Sequence, residues 1–177
     1  MEVIHPDITI FSLEWAKVQV LRERFSVETK QQPYDEALRD LAFGTFKILK
    51  HTPLSKMGIN MFMHFRIDSI EKWHEIGDKL TPKSIWEGVL HKPGMKSLTM
   101  EESIRRDGYK GYIHMKIEPS AKVDPGLFFG INDHVEVKDP GTAMGSDEII
   151  CILKEIWPES HRRSEAMIYS LLERVTA

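Results

Sequence analysis

Apolar and polar residues alternate along several stretches of this chain, and such alternation is typical of β-strands that bury one face. It is most regular over Met57–Ile67, where the odd-numbered residues are apolar while Asn60, His64 and Arg66 fall on the even-numbered face. The other predicted strands are Ile8–Leu13, Val18–Thr29, Met95–Met100, Tyr109–Ile117 and Leu127–Val137. The run from Tyr109 has the same phase as that from Met57, so we expect the odd-numbered faces of both to meet helices.

In other stretches a period of three to four residues replaces the alternation, which indicates amphipathic helices. These predicted helices cover Pro33–Lys50, Asp68–Leu80, Thr81–Leu90, Ser146–Trp157 and Ser160–Val175. Asp68 is expected to cap the second helix, with Glu71 three residues further on completing a capping box. Ser146 is expected to cap the fourth helix, and Pro158 to separate the last two, because proline interrupts helical hydrogen bonding.

The predicted order is two strands, a helix, a strand, two short helices, three strands and a pair of helices. Strands that follow one another without an intervening helix pair antiparallel. We therefore predict an α+β fold with an antiparallel sheet of about five to six strands and helices mainly on one face, a mixed sheet being the alternative. A chain of 177 residues is expected to form a single domain over 1–177, because domains average roughly 150 residues.

Charge and hydropathy exclude several classes of protein. The 24 basic and 27 acidic residues leave a net charge of −3, whereas sequence-independent binding of nucleic acid usually needs a basic excess, so nucleic acid is not an expected partner. The longest stretch without a charged residue is nine residues, Met57–Phe65, well short of the roughly 20 that span a bilayer, and no membrane association is expected.

The N-terminus and the cysteine content predict a cytoplasmic protein. Glu2 and Asp7 do not fit a secretory signal, which begins with basic residues. Cys151 is the single cysteine, so no intrachain disulfide or cysteine-based metal site can form. Because it stands among isoleucine and leucine residues, we expect Cys151 to be buried and inert.

The candidate chemistry lies on the even-numbered strand faces. If the strands are neighbours in register, three histidines, an arginine and a carboxylate converge there, a set able to bind a ligand or to transfer protons near neutral pH. The candidate ligand-binding residues are Asn60, His64, Arg66, Tyr112, His114, Glu118 and Asn132. The candidate catalytic residues are His64, His114, His134 and Asp133. The run Asn132-Asp133-His134 has two interpretations: a turn or bulge that breaks the strand, or Asp133 orienting His134.

Two local motifs resemble known sites but lack their defining residues. The string from His74 to Asp78 has aspartate where a zinc protease has its second histidine. The segment Gly141–Ser146 resembles a phosphate-binding loop, yet it lacks the lysine and is followed by Asp147 and Glu148. We therefore predict no metal and no cofactor.

Three hypotheses for function remain. The leading one is a non-catalytic binding module for a small molecule or a protein at the exposed sheet face. The first alternative is a hydrolase or lyase in which His64, His114 and His134 act with Arg66 as anion anchor. The second alternative is self-association as a homodimer through the C-terminal helix pair, where Trp157, Met167 and Tyr169 could extend an apolar surface. Whether the chain is an enzyme is left open by the sequence.

Overall fold

The residues that the structure describes contain eight strands in two antiparallel sheets. The computed structural model describes residues 3–138, 140 and 145–177, and it confirms the α+β class. The chain groups into two compact units, Met1–Leu54 with Gly141–Glu155 and Ser55–Pro140 with Ile156–Ala177. The predicted single sheet of five to six strands is wrong, because the N-terminal strands pair only with one another. The expectation of one domain over 1–177 stays a prediction.

The first unit begins with a four-stranded meander. Its strands, in chain order and in sheet order, are β1 Val3–His5, β2 Ile8–Ser12, β3 Lys17–Leu21 and β4 Arg24–Glu28. The predicted strand Val18–Thr29 is thus two strands, joined by a tight hairpin in which Leu21 is in register with Arg24. The loop residues Arg22 and Glu23 include none of the glycine or asparagine that usually marks such a turn, so the sequence pattern hides it.

A helix follows this sheet. A 3-10 turn over Gln32–Tyr34 leads into α1, Asp35–Ile48, close to the predicted helix Pro33–Lys50. The ring of Phe46 on α1 meets that of Phe25 on β4 edge to face, with 5.2 Å between the ring centroids. This geometry is favourable for aromatic pairs and ties the helix to its sheet.

The second unit contains the longer sheet. Its strands are β5 Lys56–Arg66, β6 Leu98–Glu102, β7 Lys110–Pro119 and β8 Gly126–Glu136, in the order β5-β8-β7-β6. β8 runs through Asn132 and Asp133 without a break, so the predicted interruption there is wrong. Both residues keep their backbone pairing because each side chain finds polar partners on its own side of the sheet.

One α-helix and one 3-10 turn lie between β5 and β6 in the chain. α2 spans Ile70–Leu80, and its cap is Ser69 rather than the predicted Asp68, with Ser69 Oγ accepting a hydrogen bond from the Lys72 amide at 3.1 Å. The predicted helix Thr81–Leu90 is reduced to a 3-10 turn over Lys83–Trp86.

The predicted C-terminal helix pair is one helix. α3 runs from Gly145 to Thr176 with Pro158 inside it, and its residues are divided between the two units after Glu155. Proline removes one backbone hydrogen bond and crowds the preceding turn. The helix continues because residues on both sides of the proline are buried, among them Trp157 and Ser160, so that breaking the helix would expose them. Ser146, the predicted cap, lies in the first helical turn.

The core of the second unit forms where the odd-numbered strand residues meet α2 and the C-terminal part of α3. Its buried members are Ile67, Ile76, Ile113, Met115, Ile117, Leu127, Phe129, Ile131, Ile168 and Val175. The predicted orientation of the odd-numbered faces of β5 and β7 therefore agrees with the packing. The even-numbered side chains are left on the opposite side of the sheet.

Three further features of the sequence can be compared with the described residues. Cys151 is exposed, not buried, because it lies on the outward side of α3 while Ile150 and Ile152 turn inward. The segment Gly141–Ser146, which resembles a phosphate-binding loop in sequence, lies largely outside the described residues. Within the described part of the chain, no helix is long and apolar enough to cross a bilayer.

Candidate functional site

The even-numbered side chains of β5, β7 and β8, with Thr99 and Glu101 of β6, form what we call the even face. Antiparallel registers align them in rows across four strands. One row contains Asn60, Asn132, His114 and Glu101, and the next contains Phe62, Gly130, Lys116 and Thr99. The alignment brings together several residues that the sequence places up to 72 positions apart.

A shallow depression of about 430 Å³ lies on this face. Its lining residues are Phe62, Thr99, His114, Lys116, Glu118, Phe128, Gly130, Ile131 and Asn132. Three of the predicted ligand-binding residues are among them, namely His114, Glu118 and Asn132. Phe62, Lys116 and Phe128 were not among the sequence candidates, although their even-numbered phase on the same strands could have identified them. Gly130 was not a candidate either.

Gly130 allows two aromatic rings to lie close to the strand backbone in this depression. A Cβ atom at this position would lie 3.1 Å from the Phe128 ring and 3.4 Å from Cδ1 of Phe62, tighter than ordinary contact. The two phenylalanine rings stack with 5.8 Å between their centroids, and 62% of Phe62 is exposed. A side chain is thus missing from the middle of the sheet beside two rings that present an apolar surface.

Polar groups surround this apolar surface. Lys116 Nζ lies 2.6 Å from Glu118 Oε2, and His114 Nε2 lies 2.6 Å from Glu101 Oε2. The Asn132 amide donates to Asn60 Oδ1 at 2.7 Å. A ligand near the rings therefore has both hydrogen-bond donors and acceptors within reach. Neighbouring side chains hold these polar groups in position.

Tyr112 sits between two of the predicted histidines. Its ring stacks on His114 at 4.2 Å and on His134 at 4.4 Å between centroids. Burial is the main cause that lowers the pKa of His134 below its ordinary value, although Glu136 opposes this shift. The imidazole of His134 thus favours its neutral form, and Tyr112 separates it from His114.

His64 and Arg66 lie toward the other end of the even face. His64 Nδ1 is 2.8 Å from Ser120 Oγ, and its ring is 5.0 Å from that of Phe128. Burial, with a contribution from Lys122, lowers the pKa of His64. Arg66 donates to the carbonyl oxygen of Asp124 at 2.9 Å. Neither residue lines the depression, so the structure does not bring His64, His114 and His134 to one point.

Asp133 lies on the opposite side of the sheet from His134, since successive strand residues alternate. Its side chain is fully buried and accepts hydrogen bonds from Ser160 Oγ at 2.6 Å and from Arg105 and Arg163. Asp133 therefore does not orient His134, and the prediction that it could act with the histidines is wrong in geometry. It belongs instead to a buried charge cluster, which we define as Arg105, Asp107, Asp133, Ser160 and Arg163.

The charge cluster joins β8, the loop after β6, and α3. Arg105 donates to Asp107 at 3.0 Å through Nε and to the carbonyl of His134 at 3.0 Å, while Arg163 reaches Asp107 at 3.1 Å. Burial alone would raise the pKa of Asp133, yet hydrogen bonds from Ser160 and the two arginines outweigh it and lower that pKa. The pKa of Asp107 is lowered in the same way. Sequence reasoning missed this cluster because its members are far apart in the chain.

The remaining motif gives no metal centre. Asp78 forms an ion pair with Lys83 at 2.7 Å, so the carboxylate of the string His74–Asp78 has a cationic partner on the surface. Among the residues that the structure describes, no group of three histidine, cysteine or carboxylate side chains is arranged to hold a metal ion.

Comparisons with protein families, with curated proteins and with solved structures find no match to this chain. A function for this chain is therefore inferred from the geometry of the even face.

Proposed function

We propose that the chain is a non-catalytic binding module whose depression around Gly130 takes a small ligand with a flat apolar ring and a polar substituent. The single observation that carries this proposal is the missing side chain at Gly130 beside the stacked Phe62 and Phe128 rings. Cytoplasmic location, expected from the sequence, is part of the same proposal.

The dimensions of the depression favour a small molecule. Ligand sites in proteins usually measure roughly 300–1,000 Å³ and combine aromatic surface with a few polar groups. The depression, at about 430 Å³, is at the lower end of this range. Its room is sufficient for one or two fused rings, and it is too small and too local for the 20 to 30 residues per side of a typical protein interface.

The chemistry of the lining favours a flat ligand with a polar edge. Phe62 and Phe128 offer ring faces for stacking, which contributes about 0.5–1.5 kcal/mol beyond area burial. Among the residues that line the depression, Lys116 and Asn132 supply donors and Glu118 supplies an acceptor. Because both charge signs are present, the polar substituent need not be ionised.

The two other hypotheses have less support. A hydrolase or lyase using His64, His114 and His134 needs these groups around one substrate atom, whereas Tyr112 stands between two of them and His64 lies outside the depression. Self-association through a C-terminal helix pair has no such pair to use, and Trp157 is buried.

The proposal is tested by titrating the protein with the dye 8-anilinonaphthalene-1-sulfonate, which combines a flat naphthalene ring system with a sulfonate group, and following its fluorescence. Wild type should bind one dye molecule saturably, and Gly130→Val should weaken binding at least tenfold because its side chain collides with the Phe128 ring and displaces the apolar surface of the depression. Near-ultraviolet circular dichroism shows that each variant keeps native packing, since unfolded or molten states also bind this dye.

Lys110→Val is the control, because it also places a valine on the even face, outside the depression, and removes only the partly exposed ion pair with Glu136. It should bind the dye as wild type does. Equal affinity of wild type and Gly130→Val, or the absence of saturable binding by wild type, would refute the proposed site.

A further inference from the structure

The outer edge of β5 is unpaired in the part of the chain that the structure describes. β5 hydrogen-bonds to β8 on one side and ends the four-stranded sheet on the other. It is eleven residues long, whereas the opposite edge strand β6 has five. An exposed strand edge presents a row of unsatisfied donors and acceptors to any strand that can reach it.

The register shows which backbone groups point outward. Just beyond the ends of β5, Ile67 donates to the carbonyl of Pro125 at 2.9 Å, and Val137 donates to the carbonyl of Ser55 at 3.0 Å. Odd-numbered residues of this segment therefore pair with β8, and alternation turns the backbone groups of the even-numbered ones toward the free edge. These outward residues are Gly58, Asn60, Phe62, His64 and Arg66.

β5 lacks the features that usually protect an edge. Natural edge strands are kept apart by charges, prolines, bulges or short length. β6 has Glu101 and Glu102 and is short, but β5 contains no proline, and its charges stand only at its two ends, Lys56 and Arg66. Its pairing with β8 is continuous over the whole strand, without a bulge.

We propose that the free edge of β5 pairs antiparallel with β5 of a second copy of this chain, about a two-fold axis at Phe62. This register sets Phe62 opposite Phe62 of the second copy, so the large exposed ring gains an apolar neighbour on the even face. It also sets Asn60 opposite His64, two side chains that can hydrogen-bond to each other.

Charge selects this register over the one centred on Met61. With the axis at Met61, Lys56 of one copy faces Arg66 of the other, and like charges directly opposite each other repel. With the axis at Phe62, Lys56 is brought toward Asp68, which follows the end of β5. The dimer makes one continuous eight-stranded sheet in which the two even faces are adjacent. It differs from self-association through α3, because no helix takes part.

Sedimentation equilibrium tests whether the dimer exists. Wild type at about 100 µM should have twice the 20.5 kDa mass of the chain, and Asn60→Pro should be monomeric because proline removes an outward N–H that β8 does not use. Asn60→Ala is the matched control: it also loses the side-chain bond to Asn132 but keeps the N–H, so it should remain dimeric. A monomeric wild type, or an Asn60→Pro protein that folds and stays dimeric, would overturn the proposal.

Disulfide trapping tests the register in proteins that carry Cys151→Ser. Facing residues of a hydrogen-bonded pair have Cα atoms about 5.5 Å apart, within the range that a disulfide bridges. Phe62→Cys should therefore crosslink to itself under mild oxidation, while Asn60→Cys and His64→Cys should not. Crosslinking at 60 or 64 in preference to 62 contradicts the register. Both experiments are done without dye, so failure of this dimer leaves the binding result with Gly130→Val unaffected.

Discussion

The buried charge cluster makes a strong prediction for the variant Asp133→Asn. The carboxylate is fully buried and receives three donors, from Arg105, Arg163 and Ser160. The asparagine side chain keeps one acceptor oxygen, but its NH₂ group faces groups that are themselves hydrogen-bond donors. The two arginines also lose their counter-charge. Breaking a buried ion pair usually costs about 3–5 kcal/mol of unfolding free energy. Because Arg105 retains Asp107 and the His134 carbonyl, we expect the lower end, about 3 kcal/mol.

Urea denaturation followed by circular dichroism measures this effect. For an m value of about 2 kcal/mol/M, the midpoint should fall by about 1.5 M. Glu118→Gln is the control, since it removes a carboxylate from a partly exposed ion pair with Lys116 in the same sheet. Such pairs contribute about 0–1 kcal/mol. A loss below about 1 kcal/mol for Asp133→Asn, equal to that of the control, would show that the cluster does not hold this unit together.

The remaining predictions concern the helix cap, acid stability and the thiol. Ser69→Ala should cost about 1 kcal/mol in urea denaturation, because the Lys72 amide loses its acceptor; no change would mean that the cap is dispensable. Because the pKa values of Asp107 and Asp133 are lowered in the folded state, their stabilisation is complete above their ordinary pKa of about 3.9 and is lost as the pH falls through the folded values. The unfolding free energy of Asp133→Asn, measured by urea denaturation, should accordingly depend less on pH between about 4 and 2 than that of wild type, and an unchanged slope would contradict the assignment. Cys151 should react with a thiol reagent in the native protein as fast as in urea, whereas slow native reaction would show that it is protected.

Local periodicity predicted the parts of the fold that depend only on neighbouring residues. The alternation over Met57–Ile67 predicted β5 and which of its faces is buried, because side-chain direction in a strand changes at every residue. The tight hairpin at Arg22 and Glu23 could not be predicted, since neither residue is typical of that turn. Pro158 favours a helix end locally, but burial of the residues around it outweighs that preference.

The candidate site was predicted in part for the same reason. The even-numbered phase identified His114, Glu118 and Asn132, which line the depression. It could not identify Gly130, because a missing side chain has meaning only when the residues beside it in space are known. The position of Asp133 was equally hidden, since Arg105 and Arg163, which neutralise it, come from a loop and a helix far away in the sequence.

The proposed binding site at Gly130 is tested most directly by nuclear magnetic resonance of the ¹⁵N-labelled protein during titration with 8-anilinonaphthalene-1-sulfonate. We expect the largest amide shifts at Gly130 and its neighbours in the rows of the even face, Phe62 and Lys116, with one saturation curve. Shifts centred on the α3 surface between Glu159 and Ser170, where a second shallow depression lies, would contradict the proposal, and so would the absence of saturable shifts at Gly130.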